Sequence, residues 1–68
     1  MKISARNQIE GTVVDIQKGQ TTAHVRIAIG DNAVVTSSIT NEAVDDLKLK
    51  VGDTVFAVIK ASDVMIGK

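Results

Sequence analysis

The chain has no cysteine, proline, tryptophan or tyrosine, and only one histidine and one phenylalanine. Each shortage removes a class of function. Without cysteine there are no disulfides and no thiolate metal sites. A single imidazole argues equally against a transition-metal cage. The parts of a catalytic centre are missing too: no cysteine nucleophile, no glycine-framed serine, and no paired carboxylates beside His24. His24 falls on the polar face of an alternating run, where a solvated histidine is expected. There is no Walker-type glycine loop. Glu42, Asp45 and Asp46 lack the calcium-loop pattern and read as the solvated face of a short helix. The expectation is a binding protein, not an enzyme.

An excess of charge of either sign is also lacking. Eight basic and eight acidic residues are scattered along the chain and cancel. That argues against a general electrostatic grip on nucleic acid or an anionic membrane. Met1-Lys2-Ile3-Ser4 runs straight into polar sequence without the apolar stretch of a signal peptide, and no run is long enough to span a bilayer. A soluble, cytoplasmic protein is expected. At 68 residues the chain makes one small domain, residues 1–68. A chain of this size buries only about 60% of its unfolded surface. With neither disulfide nor metal to reinforce so small a core, association with further copies is the remaining stabiliser. The 44% hydrophobic content, high for so little interior, points the same way.

What is present is β-rich sequence with clear punctuation. Val55-Phe-Ala-Val-Ile59 is apolar on both alternating faces, so a strand covered on both sides, either by its own domain or by another chain, is expected, with Phe56 in a run that reads as buried. Lys60-Ala61-Ser62 breaks that run, and Asp63 to Gly67 reads as a further, fifth strand. Earlier, Gln8 to Lys18 is β-branched, with a phase break at Val13-Val14 and a bulge or bend expected near Gly11. Lys18-Gly19-Gln20 is a turn. Thr21 to Ile29 alternates cleanly, with Ala23, Val25, Ile27 and Ile29 inward and Thr22, His24 and Arg26 outward. After the turn Gly30-Asp31-Asn32, a third strand runs from Ala33 to Ile39. Thr40 is placed to cap a short helix with Glu42 at its positive end and Ala43, Val44 and Leu47 on its inner stripe. Val51-Gly52-Asp53 turns into the fourth strand. Three strands, a helix and two strands predict an all-β fold with one short helix, an OB-like five-stranded small barrel.

Barrels of that type commonly hold nucleic acid or sugars, which stack on aromatic platforms. One phenylalanine cannot supply them. What the chain offers is donors at element ends: Ser4, Arg6, Thr40, Lys60 and Ser62, with a helix N-terminus after Thr40. A small tetrahedral oxyanion would use such a set. On the residues alone a second reading stays open, in which Ser and Thr only cap and turn while Lys60 extends to solvent.

Ser4-Ala5-Arg6-Asn7-Gln8, Gly11-Thr12-Val13, Ile59-Lys60-Ala61-Ser62 and Val64-Met65-Ile66-Gly67 together resemble the molbindin family. These are small molybdate-binding proteins related to the TOBE domains of molybdate transport ATPases and molybdate-responsive regulators. The resemblance spans essentially the whole chain. It implies an OB-like barrel that dimerises and assembles into a hexamer, a trimer of dimers, binding molybdate or tungstate in pockets shared between chains, with no organic cofactor. It implies oxyanion contacts from Ser4, Ala5 and Arg6, Arg6 through its backbone amide, and from Thr40, Lys60 and Ser62. Relatives often carry serine where this chain has Ala43, so that position offers a backbone N–H or one hydroxyl fewer. A second site is implied at Lys18-Gly19-Gln20. The implied role is storage or buffering of the anion. The alternatives are a module for sulfate or phosphate, or an OB-type module for nucleic acid or a protein partner.

Overall fold

All residues, 1–68, are described in a computed structural model of the chain. Its axis is β1, Asn7–Lys18, which is long enough to serve two neighbours. The first half of β1 pairs antiparallel with β4, Thr54–Ile59, from Asn7 opposite Ile59 to Thr12 opposite Thr54. Its second half pairs with β2, Thr22–Ala28, from Thr12 opposite Ala28 to Lys18 opposite Ala23. β3, Val34–Thr40, pairs with β2, which completes a four-stranded sheet in the order β3-β2-β1-β4.

Two local features let one strand turn between two partners. A Cβ on Gly11 would lie 2.5 Å from the Ala28 carbonyl oxygen and 2.7 Å from Ile27 Cγ2, so only glycine permits this close crossing. The ladder then slips between Val13 and Asp15, leaving Val14 as the extra residue of a bulge. Val13 sits at the corner, fully buried, and its backbone is taken up by the turn before β4. Its N–H donates to Asp53 O at 2.9 Å, and its carbonyl accepts from Gly52 N at 2.8 Å. The sheet therefore curls into a half-barrel.

The concave face carries the core: Val13, Ala23, Val25, Ile27, Ala57, and Val44 from the helix. Alternation along β2 is as its sequence predicts, with Ala23, Val25 and Ile27 buried and Thr22, His24 and Arg26 exposed. α1, Asn41–Asp46, starts where the sequence places it. Thr40 is its N-cap, with Oγ1 accepting from Ala43 N at 3.0 Å. α1 packs on β2 and β3.

Three expectations need correction. The fifth strand over Asp63 to Gly67 does not form. Instead Ala61–Asp63 makes one 3-10 turn, closed by Asp63 N to Lys60 O, and Met65 to Lys68 make no backbone hydrogen bond within the chain. The turn carries the chain away from β4 before another ladder can begin. Val55–Ile59 is covered by its own domain on one face only: Ala57 is buried, but Phe56 is 49% and Val58 43% exposed, so the chain itself does not supply the second cover. No second layer from the same chain reaches that side of β4. Leu47 is 67% exposed because it is the helix C-cap and not part of its inner stripe.

β3 and β4 are thus two free edges that do not meet. Between them lies an apolar groove of about 530 Å3, lined by Val25, Ile27, Ile39, Leu49, Phe56 and Val58 among others.

Candidate functional site

The pairing of β1 with β4 decides where the first set of donors goes. Asn7 is opposite Ile59, and Asn7 Nδ2 donates to Ile59 O at 3.1 Å. The residues just before β1 and just after β4 therefore emerge at the same end of the ladder. Ser4, Ala5 and Arg6 come from one side, and Lys60 and Ser62 from the other. Gln8 Nε2 donates to Ala5 O at 2.8 Å and steadies the N-terminal segment. The 3-10 turn, with Asp63 N bonded to Lys60 O at 2.9 Å, brings Ser62 back beside Lys60. Neither Arg6 nor Lys60 forms an ion pair; the chain's one salt bridge is Lys18 to Asp45.

The remaining residues gather elsewhere. Thr22 pairs with Thr40 across β2 and β3, and Lys18 with Ala23 across β1 and β2. The start of α1 therefore lies beside the Lys18-Gly19-Gln20 turn. Asn41 joins the two: its N–H donates to Thr21 O at 2.9 Å and its Nδ2 to Gly19 O at 3.0 Å. Asn41 Oδ1 is buried with no donor in the chain. An acceptor left so costs about 1–3 kcal/mol unless water or another chain supplies a hydrogen. Sequence reasoning passed over Asn41, because an asparagine one residue after an N-cap looks like ordinary helix-start chemistry.

The structure thus forms two donor clusters at opposite ends of β1. One holds Ser4, Ala5, Arg6, Lys60 and Ser62; the other holds Thr40 and Ala43 with Lys18, Gly19 and Gln20. Twelve residues of strand separate the ends, about 36 Å if straight, in a molecule measuring 33 × 27 × 24 Å. Even with the bend, one small ion cannot touch both. At Thr40 the hydroxyl oxygen already accepts from Ala43 N, so the Ala43 N–H is engaged while the Thr40 O–H stays free to donate. Ser4, Arg6, Thr40, Lys60 and Ser62 are all exposed in the chain. No group of His, Cys, Asp and Glu is placed to hold a metal ion.

The TOBE domain family model matches residues 3–66. The chain belongs to the TOBE domain family. Among its relatives, this TOBE chain is 49% identical to a probable molybdenum-pterin-binding protein of Haemophilus influenzae, over 98% of its own length and 97% of the relative's. It also matches the structure of a molybdate-binding protein from Sporomusa ovata, with a TM-score of 0.93, 38% identity and full coverage of both chains. A third match is the cytoplasmic molybdate-binding protein ModG with molybdate bound, at a TM-score of 0.90 and 45% identity. It covers 96% of this TOBE chain and 46% of ModG. The relatives' names describe binding proteins. Their half-barrel agrees with the OB-like reading of this TOBE chain. No helix of the TOBE chain is long and apolar enough to cross a membrane.

Proposed function

We propose that residues 1–68 form one unit that binds molybdate, and tungstate with it, as a whole oxyanion, in pockets completed between copies of the chain. The observation that carries this reading is the division of donors between the two ends of β1. An ammonium and hydroxyls lie exposed at one end, and a capped hydroxyl lies at the other. Exposed charges and donors hold an ion weakly, because water competes for both. A second copy that sets its Thr40 end against the Ser4–Lys60–Ser62 end would complete the donor set and exclude water together. The anion is then held by Ser4, the backbone at Ala5 and Arg6, Lys60, Ser62 and the free O–H of Thr40, with Ala43 steadying the Thr40 oxygen through its N–H. The Lys18-Gly19-Gln20 turn supplies a second site. No turnover is involved, and the role is storage and buffering of the anion in the cytoplasm, in a hexamer built as a trimer of dimers. The names of the relatives and the ModG structure with molybdate bound support this choice of ion.

Selectivity tests the choice of ion. Molybdate, tungstate and sulfate are tetrahedral dianions, so charge cannot separate them, and a fixed set of donors must do so by size. A smaller sulfate leaves donors unpaired at about 1–3 kcal/mol each. Phosphate brings an O–H into a pocket rich in donors and poor in acceptors. Competition titrations should rank molybdate and tungstate together, with sulfate and phosphate weaker by about 2–6 kcal/mol if two bonds are lost. Displacement of molybdate by equimolar sulfate would instead make this a general anion module.

A further inference from the structure

Asn7 and Gln8 are the two members of the Ser4–Gln8 stretch with no place among the oxyanion contacts, yet each makes a side-chain hydrogen bond. As neighbours at the start of β1 they face opposite sides of the strand. Asn7 is half-buried and reaches across to β4, where its Nδ2 donates to Ile59 O at 3.1 Å. Gln8 is exposed and folds back along its own chain, where its Nε2 donates to Ala5 O at 2.8 Å. That is the one hydrogen bond made by any of residues 1–6. Each of the two carbonyls belongs to a peptide group that leads into a cation: Ile59–Lys60 in one case, Ala5–Arg6 in the other. Both peptides are trans, so each is planar with its C=O and N–H pointing in opposite directions. Pinning the oxygen therefore sets the direction of the N–H in the same plane. Arg6 N and Lys60 N donate to no backbone group of the chain, so both stay available with their directions fixed.

We propose that Gln8 and Asn7 are positioning residues for the molybdate pocket. Gln8 aims the Arg6 N–H, and Asn7 fixes the Ile59–Lys60 peptide from which the Lys60 side chain leaves the strand. The proposal rests on the oxyanion reading of Ser4, Arg6 and Lys60, and it adds what holds those donors still before a second copy arrives. A donor that is already directed loses little freedom when an ion binds. Neither amide touches the anion; each acts through the residue whose peptide it pins. The Arg6 N–H is part of the pinned plane, whereas the Lys60 ammonium sits at the end of a flexible stem. Gln8 therefore matters more than Asn7.

The test is a titration of the assembled protein with sodium molybdate, read by calorimetry and by backbone amide NMR. In the wild type the Arg6 N–H signal should move on binding. Gln8→Ala should weaken binding about two- to tenfold, the worth of one ordinary hydrogen bond, and shrink the Arg6 response. Gln8→Glu keeps the length but has no donor, and it should behave in the same way. Gln8→Lys returns a donor to the position and should restore the Arg6 response. A gain in affinity without that response would be the added charge alone and would count against the proposal. Gln8 is exposed, so these variants should fold with the urea midpoint of the wild type. Asn7→Ala should weaken binding in the wild type but cost nothing further in a Lys60→Met background. Equal losses in both backgrounds would make Asn7 a merely structural residue. A wild type that binds no molybdate would overturn the oxyanion reading and this proposal together. Binding with an unmoved Arg6 signal, or with full affinity in Gln8→Ala, would overturn this proposal and leave that reading standing.

Discussion

Lys60 shows how much of a residue's role depends on what surrounds it. At the end of β4 it is exposed and unpaired, and in that state it would add little to anion binding. Enclosed against a dianion by a second copy, it becomes half of a buried charge pair. Lys60→Ala should then cost about 2–5 kcal/mol of molybdate binding, the range for truncating one member of such a pair. Calorimetry on a folded, fully assembled Lys60→Ala protein checks this. Unchanged affinity would return Lys60 to a solvent-extended side chain. Its type and position were legible in the sequence as a cation just after an apolar strand. Its company was not, because Asn7 meets Ile59 across 52 residues of chain, and only the register brings Ser4 and Arg6 to it. Val14 was the opposite case: a break in alternation is a local signal, and the bulge lies there.

Elements announced by local chemistry form as expected, while those that need a distant edge do not. β2 follows its alternation, and α1 starts at its Thr40 cap. The helix end was less legible. It closes with a Schellman motif in which Leu49 N donates to Val44 O at 3.1 Å and Lys48 N to Asp45 O at 3.0 Å. Lys48 occupies the left-handed position, with φ of 51°, where glycine is usual. A side chain there costs about 1–2 kcal/mol, partly offset by the greater freedom glycine has in the unfolded chain. Lys48→Gly should therefore stabilise the fold by about 0.5–1 kcal/mol, read as a higher urea midpoint with an unchanged m-value. A lower midpoint would mean that the lysine makes a compensating contact outside the chain. Asp63 to Gly67 marks the limit of local reading: apolar composition favours a strand, but a strand also needs an edge, and this chain brings none to it.

At the scale of the whole molecule the chain leaves much of its apolar surface uncovered. Only six residues are buried, while Phe56 and Val58 are exposed in an apolar groove beside two unpaired strand edges, and Met65 and Ile66 are exposed in the C-terminal segment. Uncovered edges of this kind invite pairing with another chain. The amount of apolar sequence was legible from composition, as a chain with more hydrophobic residues than its interior can hold. The face left open depended on the topology: with β1 committed to β2 and β4, no strand remains to close β3 onto β4. The groove that needs covering and the divided donor set both call for a second copy, so assembly and binding should be one event. Native mass spectrometry with and without molybdate tests that directly. Assemblies several times the 7.2 kDa chain are expected, six copies in the closed form, with molybdate carried only by the assembled species. A monomer that binds molybdate as tightly as the assembly would contradict it.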